Sequence, residues 1–193
     1  MPAFDYGTVS EEDDLIPDET ILDFEMTIKA GNIGEDGLLS RSKNGEAEGL
    51  AATFTVIKEG TYFKRKIFSF MVLSGTTEGH AQAGDITKKR LRAILESARG
   101  VKPTDVSEEA KEKRIAEHSD FGGICFVAKV GIEPAKGQYK AKNVIASIVT
   151  PEKDGWHQLN QSSRAPTPSS SSSPPPVSGN SGNKTIVTPD WAR

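Results

Sequence analysis

Cations and aromatic rings recur together at two places along the chain. Lys64, Arg65, Lys66, Phe68 and Phe70 form one group; Tyr139, Lys140 and Lys142, with Asn143 beside them, form the other. Lysine and arginine neutralise phosphates, and an exposed ring face stacks on an unpaired base. A groove for single-stranded nucleic acid needs this mixture. On an extended strand Lys64, Lys66, Phe68 and Phe70 share one side, because successive side chains point to opposite faces, and Ile67, Met71 and Leu73 share the other. Tyr62 and Phe63 fall near the tip of the preceding turn, and Tyr62 and Tyr139, at a turn and a strand start, are candidate stacking residues. Arg41 and Lys43 stand in a long stretch rich in Gly, Ser and Asn and could close over an extended ligand.

Other chemistries lack their residues. His80, His118 and His157 are widely separated, and none stands at a metal-binding spacing from Cys125. The chain has neither a G-x-S-x-G nucleophile turn nor a G-x-x-x-x-G-K-[ST] phosphate loop. The carboxylates of the first strand alternate outward as a solvated face does, so no acid–base pair stands out. No enzyme activity, cofactor or metal is expected. Cys125 lies in an apolar run and, as the single cysteine, excludes an intramolecular disulfide; it reads as a small core residue.

The formal net charge of −3 averages two unlike halves. Residues 1–49 hold thirteen acidic and three basic side chains, whereas residues 51–157 hold eighteen basic and thirteen acidic. A basic face is therefore compatible with an acidic whole. There is no apolar run of about 18 residues, and the first residues lack the basic and apolar regions of a secretion signal. The expectation is an intracellular, cytoplasmic protein without membrane contact.

The elements that would position the cations and rings are strands. Leu22, Phe24, Met26 and Ile28 alternate with polar residues, which predicts a first strand. Leu50, Ala52, Phe54 and Val56 alternate likewise, turn at Lys58–Thr61 and return through residues 64–73 as a hairpin. Leu91, Ile94, Leu95 and Ala98 fall at helical spacing, with Asp85 as cap and Gly100 and Pro103 as stop, and a second, polar helix is expected from Ser107 to about His118. Ile124–Ile132 and Tyr139–Val149 predict a second hairpin, and Phe24, Phe54 and Phe126 are expected in the core. Three strands, a helical insertion and two strands match the element order of a five-stranded, partly open barrel of the oligonucleotide-binding type, mostly β and antiparallel.

Residues 1–18 read as an acidic arm, either simply solvated or competing with a polyanion for the basic face. Residues 19–157 form the expected domain. Residues 158–193, dominated by Ser and Pro, read as a disordered tail ending in an Asp190-Trp191 tip that could dock a partner.

The run Gly60–Phe68, the helical run Lys89–Gly100 and the closing segment from Gly137 through Asn143 resemble a family of phage and prophage proteins, many known only as a domain of unknown function. The resemblance covers about residues 20–157. It implies single-stranded-DNA binding close to phage replication and recombination functions, and it carries that role to Tyr62, Lys64, Arg65, Lys66, Phe68, Tyr139, Lys140, Lys142 and Asn143. Other phage single-strand binders have a similar flexible tail with an aromatic tip, usually acidic; here Asp190 faces Arg164, Lys184 and Arg193, so the tail departs from an acidic DNA mimic. The resulting expectation is a non-catalytic single-stranded-DNA-binding protein. Its partners would be DNA, a replication or recombination protein at the C-terminal tip, and a further copy of itself as a homo-oligomer. The alternative is a protein-interaction adaptor that never binds DNA.

Overall fold

Apolar alternation places β1 (Ile21–Lys29) at the centre of the sheet, with Leu22, Phe24 and Met26 buried. The structure, a computed structural model, describes residues 15–161. On one side β1 pairs antiparallel with β3 (Ala47–Val56), from Phe24 opposite Val56 to Lys29 opposite Ala51. On the other it pairs antiparallel with β5 (Ile124–Glu133), from Ile21 opposite Lys129 to Met26 opposite Ile124. β4 (Lys66–Gly75) flanks β3, and β6 (Lys142–Ile148) flanks β5, so the long strands lie in the order β4-β3-β1-β5-β6. The fold is mostly β, an antiparallel sheet with one long helix packed against it.

A sixth strand joins the five expected. β2 (Leu39–Arg41) pairs with Glu48–Leu50, along the part of β3 that β1 does not reach. Three residues are too few to display a period, which hid β2 within the Gly-rich stretch. β3 also starts earlier than the expected Leu50. Its register shifts between Glu48 and Gly49, and a Cβ at Gly49 would stand 2.2 Å from the Met71 carbonyl oxygen. The glycine that interrupts the apolar pattern is thus the residue that lets β3 and β4 approach.

α1 spans Glu78–Arg99, beginning seven residues before the expected cap at Asp85. Thr77 is the N-cap: its side chain accepts from the His80 amide while the His80 ring pairs with the Thr77 amide. Leu91, Ile94, Leu95 and Ala98 enter the core, and Gly100 ends the helix in the left-handed conformation. The expected second helix is shorter, only Glu108–Glu112 (α2) after the Ser107 cap; a 3-10 turn at His118–Phe121 follows it separately. Arg114, between them, extends into a buried network instead of a polar helical face. Its guanidinium donates to Glu96 at 2.7 Å and to the carbonyls of Lys102 and Asp105, fastening this segment to α1.

The core forms around three rings, Phe126 stacked near Phe24 (centroids 6.1 Å) and edge-on to Phe54 (5.8 Å). Cys125 is buried, as its apolar surroundings suggested. Past the expected boundary at His157 the chain is still fastened to the body: Gln158 donates to the Ala98 carbonyl, and Gln161 donates to the carbonyls of Ala98 and Cys125. Among the described residues no helix is long and apolar enough to cross a membrane.

The two outer strands, β4 and β6, run in the same direction, as the alternating pairings require, and approach without a shared hydrogen-bond ladder among the described residues. Ile16, fully buried, joins the core, and its backbone amide and carbonyl are held by the Asn143 side chain at 2.8 Å each.

Candidate nucleic-acid interface

Register on β1, β3 and β4 assembles the outer face of the sheet. Three rungs cross it: Lys29, Ala51 and Phe70; Thr27, Thr53 and Phe68; Glu25, Thr55 and Lys66. Strands lie about 4.8 Å apart and successive rungs about 6.8 Å apart, so the three rungs cover a patch of roughly 10 by 14 Å. Small side chains at Ala51 and Thr53 leave the neighbouring rings uncovered. Phe68 is 72% exposed and Phe70 39%, while Ile67 and Met71 on the opposite face are buried. Leaving a phenylalanine in water forfeits most of the roughly 1.5–3 kcal/mol available from burying it. Phe68 forfeits most of that gain and Phe70 about two-fifths of it, so both rings cost folding free energy at the surface. A shallow depression of about 410 Å³ lies against Lys29, Thr53, Phe68 and Phe70.

The turn from β3 to β4 differs from the expected plain hairpin. Lys64 is not a strand residue: it has φ of 64°, and Lys64 and Arg65 together oppose Val56, whose carbonyl accepts from Lys64 at 2.9 Å and whose amide donates to Arg65 at 2.9 Å. This is a bulge whose left-handed position glycine would fill without strain. The arrangement exposes Phe63, whose ring lies 5.2 Å from the Lys64 ammonium, and turns the half-buried Tyr62 against the core.

At the strand starts, Lys66 and Phe68 of β4 with the preceding Arg65 face Lys142 and Asn143 of β6 with the preceding Ala141 across a groove of about 280 Å³ that also includes Leu15. The sheet topology thus joins the two sequence groups, separated by some seventy residues. Tyr139 and Lys140 belong to the β5–β6 loop instead of the expected strand, because the chain turns back at Lys136–Tyr139 before pairing with β5; Tyr139 is 72% exposed. Lys142 forms an ion pair with Glu133 at 3.1 Å. Asn143 uses both ends of its amide on the Ile16 backbone, so its observed task is anchoring.

Arg41 ends β2 and pairs with Glu48 at 3.2 Å, and Lys43 follows in the exposed turn to β3. Neither residue lines the β4–β6 groove or the depression beside Phe68. Lys29, Lys64 and Lys66 have no carboxylate partner within ion-pair distance among the described residues. Asp190 and Trp191 lie outside the described residues. Among those described, no three His, Cys, Asp or Glu side chains converge to hold a metal ion.

The candidate surface expected from the sequence lacked Lys29, Thr53 and Phe63. Pairing strand one with strand two antiparallel would have shown the first two, since the polar face of β1 runs into Lys29. Phe63 had no such signal, because its exposure depends on the bulge at Lys64. No protein-family model matches the chain, and the search of curated proteins also found no match.

Proposed function

We propose that this chain is a non-catalytic single-stranded-DNA-binding protein whose sheet is an oligonucleotide-binding-like barrel, open between β4 and β6. Counting the five long strands in chain order, the order 3-2-1-4-5 with the helix after the third strand supports that assignment. Strand five then comes beside strand three across the groove. Folds of this type bind oligonucleotides on the face of their second and third strands and with the first–second and fourth–fifth connections. Here those places are β3 with β4, the stretch carrying Arg41 and Lys43, and the loop carrying Tyr139 and Lys140.

The observation that carries the reading is the pair of exposed rings, Phe68 and Phe70, set on one strand beside Lys29, Lys64 and Lys66, which have no carboxylate partner among the described residues. Their spacing of about 6.8 Å along the strand exceeds the roughly 3.4 Å per nucleotide of one strand of a duplex. It suits a single strand with its bases splayed, each stacked ring contributing about 1–3 kcal/mol. Keeping a lysine at the strained position 64 is consistent with a use for its charge. The resemblance to phage and prophage proteins supports a role in replication or recombination in the cytoplasm of a bacterial host, with the tail tip recruiting a further protein.

The test is fluorescence anisotropy with labelled single-stranded and duplex DNA of equal length across a salt series. The expected result is salt-dependent binding that favours the single strand by about tenfold or more, a difference of about 1.4 kcal/mol. No binding at low salt, or equal binding to duplex, overturns the proposal.

A further inference from the structure

We propose that the β4–β6 groove is the second leg of the DNA path, where Arg65, Lys66 and Lys142 hold phosphates adjoining the bases on Phe68 and Phe70, and that Glu133 withholds Lys142 until a phosphate replaces it. The inference rests on the function proposed above and extends it from a patch on the sheet to a track around the edge of β4.

Continuity comes from Phe68, which lines both the groove and the depression beside Phe70. Bases on Phe70 and Phe68 stand about 6.8 Å apart, and one more step of that length along the same side of β4 reaches Lys66. Arg65 precedes Lys66, and both line the groove. The opposite direction offers no cation on this strand: beyond Phe70 the same spacing meets Val72 and Ser74. Arg65 and Lys66 have no carboxylate partner among the described residues, so a strand leaving the rings in their direction gains two uncommitted charges. Ile67 lines the groove and is buried in the core cluster with Ile16, so the floor is apolar and a ligand lies along the trough without entering the interior.

The role of Glu133 follows from register. Glu133 ends β5 opposite Lys142, which starts β6, and their side chains pair at 3.1 Å, each more than half exposed. An exposed ion pair is weak, so a phosphate already attracted by Arg65 and Lys66 across the groove can take Lys142 from it. The displaced carboxylate stays beside the track and opposes the bound strand. Removing its charge should therefore tighten binding, a direction that damage to the fold does not produce.

The first test needs no substitution. Acetylation of the unaltered full chain by a limiting amine-reactive ester is read by mass spectrometry with and without saturating oligothymidylate. Labelling of Lys142 is expected to fall about threefold or more, with Lys111 on α2 as reference. Bound oligonucleotide with unchanged Lys142 labelling overturns the groove as part of the path and leaves the sheet-face reading standing. The second test is anisotropy with the same oligonucleotide across a salt series. R65Q with K142Q should make the plot of log K against log salt shallower by about 1.4, two phosphates at about 0.7 each. The control K102Q with K111Q, at exposed sites elsewhere, should leave the slope unchanged. E133Q should bind about twofold to fivefold tighter than E112Q, which removes the same charge from α2, at about 0.05 M salt. The two should bind alike at about 0.5 M, where screening is strong. A slope for R65Q with K142Q equal to that of its control refutes the phosphate track, and E133Q no tighter than E112Q refutes the role of Glu133. If R65Q with K142Q fails to fold, the labelling and E133Q decide. Loss of binding in F68A with none in R65Q with K142Q refutes this inference alone, whereas no oligonucleotide bound by the unaltered chain at low salt overturns the DNA-binding function and this inference with it.

Discussion

Phe68→Ala separates the surface role of the ring from its part in folding. The side chain is 72% exposed, so little more than a quarter of it is covered. Taking about 1.5–3 kcal/mol for full burial, truncation removes roughly 0.4–0.8 kcal/mol of packing, with an effect of similar size from the lower strand preference of alanine. The fold should survive with a stability loss near 1 kcal/mol, whereas Phe54→Ala in the buried ring cluster should lose about 3–5 kcal/mol. If Phe68 stacks on a base, binding loses about 1–3 kcal/mol, which is roughly fivefold to 150-fold in Kd. The assay is anisotropy with a labelled oligothymidylate at several salt concentrations, beside urea denaturation of the same preparation. A ring neutralises no phosphate, so the plot of log K against log salt should drop without changing slope. Lys66→Ala should instead make that slope shallower by about 0.7 for each phosphate left without its cation. Phe68→Ala binding within twofold of the unaltered protein, with the fold intact, refutes the stacking platform.

Three other perturbations test the supporting geometry. Lys64→Gly relieves the left-handed backbone but removes the ammonium beside the Phe63 ring and adds unfolded-state entropy, so urea stability should stay within about 1 kcal/mol. The salt slope of DNA binding should become shallower by about 0.7, and an unchanged slope removes Lys64 from the interface. Gly84→Ala would gain about 1 kcal/mol from helix propensity alone, but its Cβ would meet the Leu73 carbonyl oxygen at 2.6 Å, a backbone atom that cannot swing aside. A net loss of about 1–3 kcal/mol is expected, and a higher urea midpoint contradicts the close packing of α1 on β4. Asp36 is held below its ordinary 3.8 chiefly by the Leu38 amide, with His118 at 3.1 Å assisting. Its folded-state pKa is depressed, so its contribution to stability is present above the ordinary value and disappears as pH falls through the lower folded value. Carboxyl NMR should place its midpoint below 3.8, and Asp36→Asn should flatten the acid limb of the stability curve; an ordinary midpoint removes the interaction.

How much was legible in the sequence depends on the range of the interaction responsible. The alternating faces of β3, the apolar face of β1 and the exposure of Lys66, Phe68 and Phe70 follow from the pleat, and the burial of Cys125 from its apolar run, whereas the expected solvated face of β1 fails at Asp23, which is buried, and β5 is buried on both faces along most of its length. The stop of α1 at Gly100 was equally local, since a left-handed cap favours glycine. Its start at Thr77 was missed because Gly79 and Gly84 dilute the helical pattern, and the reason for Gly84 lies across space in the carbonyl of Leu73. The strand starts were misplaced for a similar reason. Lys64, Tyr139 and Lys140 continue an alternating pattern that the backbone abandons, one at a bulge and two in a loop.

Spacing of two and local chemistry suffice to say which apolar side chains the sheet buries and which cations and rings it leaves outside. That Lys29, Thr53 and Phe68 share one patch, that Arg65 and Lys66 face Lys142 across a groove, and that Asn143 holds Ile16 emerges once the chain is folded. Those neighbours come from strand order and register, long-range pairings that no local pattern encodes. A shift of one residue in the β3–β4 register would have turned the same rings into the core.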